Sequence, residues 1–318
     1  MDFSIRQNPW RVSLLSAIFL AGFYFILFAA PRNFPVDSIV GIEKGSSASA
    51  VADQLADERI ISHARLLELL LRLSGGSEGV HAGDYRFEDP QNVFLVAYRL
   101  LVGDYGFPTI RVTFPEGITV RESAKKIEGV FSAIRASDFE SAAKQYEGYL
   151  FPDTYLFVSS DDVASIISLM RTNFDTKIGP LSDDIRASGR TLSDTIILAS
   201  LIEKEARTDA SKRMVAGILQ NRLTLGMPLQ VDAVFGYIFN RDTYSPSLKD
   251  LTVDSPYNTY THKGLPPGPI CNPGLSSIEA VLHPTKTKYI YYLTGKDGLM
   301  HYATTYAEHQ ANQKRYLR

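Results

Sequence analysis

The longest apolar stretch lies near the start of the chain: from Val12 to Ala30, nineteen residues (VSLLSAIFLAGFYFILFAA) carry no charge. That is close to the ~20 helical residues needed to cross a hydrocarbon core of ~30 Å, so one membrane helix is expected over 12–30. Arg6 and Arg11 precede it, while Arg32 and Asp37 follow. This bias places residues 1–11 as a short cytoplasmic tail and sends the bulk of the chain outward. A cleaved signal peptide ending near Ala29-Ala30 is the rival, but the run exceeds the usual ~7–15-residue signal core.

Beyond Pro31–Pro35 the apolar period shortens and changes kind. VDSIVGI reads as a strand that turns at Gly45, with Ser46, Ser47 and Ser49 as candidate N-caps of a helix whose face is Val51, Ala52, Leu55 and Ala56. A second helix is expected over Ile60–Leu73, with Leu66, Leu67, Leu70 and Leu73 on one side, ended by Gly75 and Gly76. His81–Phe87 alternates as a strand. Residues 36–107 therefore read as a small β-α-α-β unit.

A weak echo follows at Thr109–Gly129, again strand, glycine turn and helix, with Gly117 standing 72 positions after Gly45. A helix at Asp138–Ala143, an aromatic turn over Gly148–Phe157 and a helix at Val163–Lys177 come next. Thr191–Asp194 marks the start of an apolar helix through Glu205, and Thr208 caps another that runs toward Gly226. From there to Asn272 the chain is poor in helical period and rich in turn residues, the mark of a functional loop region. Ser276–Thr285 returns to helix, Tyr289–Thr294 reads as a strand pairing with Met300–Ala303, and a polar helix closes over Ala307–Arg318. The whole is α+β, with a larger mixed unit over 108–318.

The 33 basic and 35 acidic residues among 318 leave a net charge of −2, which provides no electrostatic footprint for nucleic acid. A neutral, sugar-like polymer fits better. The lone cysteine, Cys271, cannot form an intramolecular disulfide, and the six histidines show no metal-ligand spacing, so no metal or cofactor is expected. Ser200 lacks a nucleophile-elbow setting.

The chemistry concentrates on two glutamates of the apolar helix. Leu198, Leu201, Ile202 and Glu205 share one helical face, so Glu205 extends an apolar stripe, whereas Glu203 points roughly 200° away. A partly desolvated carboxyl there has a raised pKa and can act as general acid near neutral pH. An ion pair with Lys204 or Arg207, or a capping amide, is the alternative. Gln230 and Asp232 lie two apart on an extended segment and face one way. Tyr257, Asn258 and Tyr260 precede the stiff Gly264–Pro269 turn and suit a sugar shelf, or simply loop packing.

Taken together, LASLIEKEA (198–206), NRL (221–223), GMPLQVD (226–232), DSPYNTY (254–260), GLPPGPI (264–270), NPG (272–274) and HP (283–284) resemble the endolytic murein transglycosylase family, MltG or YceG-like. The resemblance covers nearly the whole chain and makes the β-α-α-β unit LysM-like. It implies a single-pass inner-membrane enzyme whose catalytic domain faces the periplasm. Its substrate would be peptidoglycan glycan strands, cut internally between N-acetylmuramic acid and N-acetylglucosamine, alongside membrane-bound peptidoglycan synthases (penicillin-binding proteins). One carboxylate suffices in such a scheme, because the substrate's own C6 hydroxyl is the nucleophile and the product ends in 1,6-anhydromuramic acid. The family's catalytic acid matches Glu205, and Gln230, Asp232, Tyr257, Asn258 and Tyr260 would line the saccharide cleft. Ala206 stands where the family often has Thr or Ser, and VDAVFGYIFN replaces a more usual TDPTVxY run. A noncatalytic wall-binding scaffold and a muramidase-type hydrolase are the competing functions.

Overall fold

A computed structural model describes residues 28–74, 80–159, 161–241 and 246–317, with positions 10, 13, 14, 16, 17, 19 and 22 ahead of them. The expected membrane span over 12–30 lies largely outside the described residues. Among those described, no helix is long and apolar enough to cross a membrane. The fold is mixed α+β and divides into two compact units, Met1–Pro108 and Thr109–Arg318.

In the first unit, β1 (Ser38–Ile42) leads through α1 (Ala48–Asp57) and α2 (Ala64–Leu73) to β2 (Gly83–Phe87), and α3 (Val93–Val102) follows. The strands pair antiparallel, Ser38 opposite Phe87 and Ile42 opposite Gly83. Val40, Ile42, Tyr85 and Phe87 thereby point to one buried face, as two-residue alternation requires. Ser47 caps α1 by accepting from the Ala50 N–H. The expected face of the second helix holds for Leu66, Leu67 and Leu70, which pack on the core with Leu71, and is corrected at Leu73, which is 76% exposed. The chain leaves α1 through Arg59 at φ +62°, and the Ile60 N–H bonds back to Leu55. Ile60 and Ile61 therefore enter the core from a loop, and the helix starts later, at Ala64. The VFLVAYRLLV run, not assigned from the sequence, is α3, capped by Asn92 and ended by Gly103 in the left-handed region.

In the second unit, β3 (Thr109–Thr113) leads to α4 (Val120–Glu128) and α5 (Ala136–Ala143). Then β4 (Thr154–Val158) pairs antiparallel with β3, and α6 (Val163–Ile178) and α7 (Ser182–Ala187) follow. The segment read as an aromatic turn keeps its turn through Pro152-Asp153 but continues as a strand from Thr154, where Tyr155 and Phe157 are buried while Leu156 faces out. The echo seen in the sequence is real in outline. Gly45 and Gly117 both adopt positive φ between a strand and a capped helix.

The centre of this unit is α8 (Leu192–Glu205), followed by α9 (Asp209–Thr224) and α10 (Ala233–Phe239). Then come α11 (Leu275–Leu282), β5 (Tyr291–Thr294), β6 (Met300–Ala303) and α12 (Tyr306–Tyr316). Thr191 caps α8, and Thr208 caps α9 in a reciprocal box with Ser211. Every residue of α8 from Thr195 to Ile202 is buried, the condition of a helix at the middle of a core. The region expected to lack helix contains α10, where Phe235 and Phe239 stack one turn apart.

Close packing around α9 supports a stability prediction. A methyl group at Gly217 would meet the Thr285 carbonyl oxygen at 2.1 Å, while the Thr285 N–H already bonds to Arg213. Gly217→Ala is expected to cost about 1–3 kcal/mol by overpacking, measured by denaturant unfolding. An unchanged midpoint would show that the helix can move aside freely.

Candidate active site

A cavity of about 710 Å³ opens in the second unit, walled by α4, the segment after α5, the end of α8, α10 and the turn around Tyr257. Glu205 stands in it as the last residue of α8. The next residue, Ala206, is buried and extended at φ −135° and ψ 143°, so the backbone turns away and leaves the carboxylate at a helix end.

The Tyr292 hydroxyl, on β5, donates to Glu205 Oε2 at 3.0 Å. Burial pushes the Glu205 carboxyl up to about 7, and the nearby Asp232 charge adds to the rise. The hydrogen bonds from Tyr292 and from the Ala233 backbone pull against it. Among the described residues neither Lys204 nor Arg207 forms an ion pair with Glu205. The acid is therefore held by a neutral donor in poorly solvated surroundings.

Glu203 has the opposite environment. Its carboxylate accepts from Lys212 Nζ at 3.1 Å, from the Gly274 N–H at 3.0 Å and from the Ser277 hydroxyl at 2.6 Å. The side chains of Lys212 and Glu203 are 4% and 8% exposed. Lys212 also donates to Ser276 Oγ at 2.8 Å, and Glu116 lies 3.9 Å away. The two acids diverge as the helical phase requires: Glu205 lines the cavity and Glu203 does not. Their partners differ as well: Glu203 is neutralised by a cation, whereas Glu205 meets the Tyr292 hydroxyl.

Asp232 and Tyr257 also line the cavity. Leu229 and Val231 are fully buried while Gln230 and Asp232 are exposed, so the alternation holds, although the segment is not a strand. Gln230 adopts φ +52°, and its Oε1 accepts from Arg222 at 3.2 Å. Asp232 precedes α10 and accepts a short hydrogen bond from the Tyr260 hydroxyl. A second carboxylate thus reaches the cleft from outside α8. Asn258 has a different place from the one expected. It is fully buried, donates to the Leu251 and Val253 carbonyls at 3.0 and 2.9 Å, and accepts from the Tyr260 N–H. It braces the loop and does not face the cavity.

Three residues not singled out from the sequence complete the site. Tyr292 was legible only as part of the strand YIYYLT. Arg222, 5% exposed, donates to the carbonyls of Ile290 at 2.6 Å and Leu229 at 2.8 Å, tying the strand that bears Tyr292 to the loop that bears Asp232. Glu147 lines the cavity, and both its oxygens accept from the Val120 N–H, at 3.0 and 3.2 Å. Burial pushes its carboxyl up to about 8. Ser200 and Cys271 are structural: Ser200 accepts from the Ile270 N–H at 3.1 Å, and burial raises the thiol.

The profile of the YceG-like family matches residues 40–315. Over 305 residues the chain is 31% identical to an endolytic murein transglycosylase of Bacillus subtilis, covering 87% of this chain and 84% of that one. It is 26% identical to an endolytic murein transglycosylase of Streptococcus pneumoniae, covering 95% of this chain and 63% of that longer protein. A crystal structure of a YceG-like protein from Listeria monocytogenes superposes with a TM-score of 0.59 at 30% identity, over 86% of this chain and 98% of the other.

Proposed function

This chain belongs to the YceG-like family, and from that premise we infer that it is an endolytic murein transglycosylase, a lyase of peptidoglycan. It cleaves the bond between N-acetylmuramic acid and N-acetylglucosamine within glycan strands and leaves 1,6-anhydromuramic ends. The observation that carries the mechanism is the setting of Glu205: a carboxyl at about 7, bonded to a tyrosine hydroxyl, in a cavity of about 710 Å³.

In its protonated form Glu205 donates to the glycosidic oxygen as the bond to C1 breaks. The resulting carboxylate then takes the proton of the C6 hydroxyl, whose oxygen closes on C1. The acid is regenerated and no water is consumed. Asp232 and Tyr257 line the path of the sugar, with Tyr260 fixing the Asp232 carboxylate. Arg222 and Asn258 hold the two loops in place. Ala206 supplies no hydroxyl beside the acid, and Tyr292 is the hydroxyl that reaches it.

Asp232 also favours one other reading, since hydrolytic glycosidases use a second carboxylate for water or for a covalent intermediate. The products distinguish the two. Mass spectrometry of digested sacculi is expected to show anhydromuramic ends, and reducing muramic ends would establish hydrolysis instead.

The pH dependence follows from the first proton transfer. The protonated fraction of Glu205 falls as pH rises through about 7, so kcat/KM is expected to decline tenfold per unit above it. The Tyr292 hydroxyl stabilises the carboxylate, so Tyr292→Phe is expected to move this limb to higher pH. A limb that stays in place would separate the titration from Glu205.

The same reading extends to the rest of the chain. The uncharged run Val12–Ala30 and its flanking arginines support an inner-membrane anchor with the catalytic unit in the periplasm, beside the membrane-bound synthases. The β-α-α-β order of the first unit supports a LysM-like module that holds glycan.

A further inference from the structure

One side of the cavity carries charge that the glycosidic reaction does not use. Arg121 and Lys125 stand four apart on α4, Lys144 follows α5, and Lys204 faces them from the end of α8, all exposed and all lining the cavity. Among the described residues none of these four side chains forms an ion pair. Arg241 lines the cavity as well.

Among the described residues, the acids on the same wall, Glu122, Glu140 and Glu147, form no ion pair with those four side chains. Glu122 is turned to the helix start, where its Oε2 accepts from the Thr119 N–H at 2.7 Å and the Thr119 hydroxyl at 2.9 Å. Glu147 is turned inward to the Val120 N–H. Glu140 alone remains as a cavity-lining acid of α5 with no ion pair among the described residues. Like charges four apart on a helix repel weakly, so an anion bound between Arg121 and Lys125 would relieve that repulsion.

We propose that this wall is a subsite for the carboxylates of the peptide carried by muramic acid, and that it makes peptide-bearing strands the preferred substrate. The proposal rests on the transglycosylase reading above. A bare glycan carries only the lactyl carboxylate of each muramic residue, whereas an attached peptide masks that carboxylate in its amide bond and brings several others beside the glycosidic bond that Glu205 protonates. Lys204 is adjacent in sequence to Glu205, so the subsite begins beside the reacting bond. Three or four partly screened cations acting together discriminate modestly and lose strength with salt.

The test compares strands with peptides intact against strands stripped by an amidase, whose hydrolysis of the amide frees the lactyl carboxylate. The full-length protein is assayed as wild type and as the Arg121→Ala, Lys125→Ala, Lys144→Ala triple variant. The expected wild-type preference, expressed as the ratio of kcat/KM values, is about tenfold for peptide-bearing strands. It is expected to fall toward unity in the triple variant, mainly through KM, and to shrink as salt is raised. Arg121→Lys together with Lys144→Arg, which keeps the charges, is expected to retain it. Equal rates on both strands by the wild type, or a ratio that survives in the triple variant, would overturn the subsite while leaving the transglycosylase intact. No anhydromuramic product from either strand would overturn both.

Discussion

Glu205→Gln is expected to abolish anhydromuramic products while leaving sacculus binding in place. The amide keeps the size of the side chain and still offers an oxygen to the Tyr292 hydroxyl, 3.0 Å away in the native protein. What it removes is the proton that must reach the glycosidic oxygen and the carboxylate that must later take one back. General acid and base catalysis is worth about 10²–10⁴-fold, and a single group acting in both roles puts the loss at about 10³-fold or more. The unfolding midpoint should be nearly unchanged or slightly raised, because a carboxyl whose charged form is penalised by burial gives way to a neutral group. Product formation that survives this substitution would place the acid elsewhere, and retained binding without products would separate an enzyme from a scaffold.

The same change two residues earlier is expected to do the reverse. Glu203→Gln removes one charge of a pair whose side chains are 8% and 4% exposed, leaving Lys212 buried with only the 3.9 Å contact to the half-exposed Glu116 and the Ser276 hydroxyl. Breaking such a pair from one side costs about 3–5 kcal/mol, most of it the stranded charge. Lys212→Met is expected to cost a comparable amount by stranding Glu203. The double variant should fall well short of the sum, since it strands neither. Thermal and denaturant unfolding of the three variants reads this directly. Additive losses would show that the two groups are not coupled. If Glu203→Gln were as stable as wild type but inactive, the roles of the two glutamates would have to be exchanged.

The contrast between these acids shows where sequence reading reached and where it stopped. Local periodicity was enough for the capped helices, because a hydroxyl residue such as Thr191 or Thr208 acts on backbone groups three residues away. It was also enough for the paired strands Tyr291–Thr294 and Met300–Ala303, joined by a glycine turn. It failed at the start of α2, where the turn at left-handed Arg59 delays the helix to Ala64, and at α10, where short apolar segments fit either state. In the site, Glu205 was legible as an acid on an apolar stripe. Its divergence from Glu203 was legible too, but the pairing that neutralises Glu203 was not, since Lys212 and Ser277 arrive from other helices. Asn258 illustrates the same limit from the opposite side. Its motif marks it as a contact to sugar, but its amide is consumed by two carbonyls of its own loop.

Asn272 carries a consequence for how the enzyme comes into being. Its backbone N–H and side-chain amide both bond to the Ile118 carbonyl, its own carbonyl accepts from Gly117, and its Oδ1 accepts from the Leu150 N–H, all in the buried interior. The segments that form one wall of the cleft are thus pinned by a residue made more than a hundred positions later. Contacts of such sequence separation form late, because the intervening chain must first be ordered. A nascent polypeptide that has emerged only as far as Glu205 already contains the acid but not the latch that shapes its surroundings. Cutting activity should therefore switch on only once the last quarter of the chain has been made, which spares the cell wall from a half-built lyase.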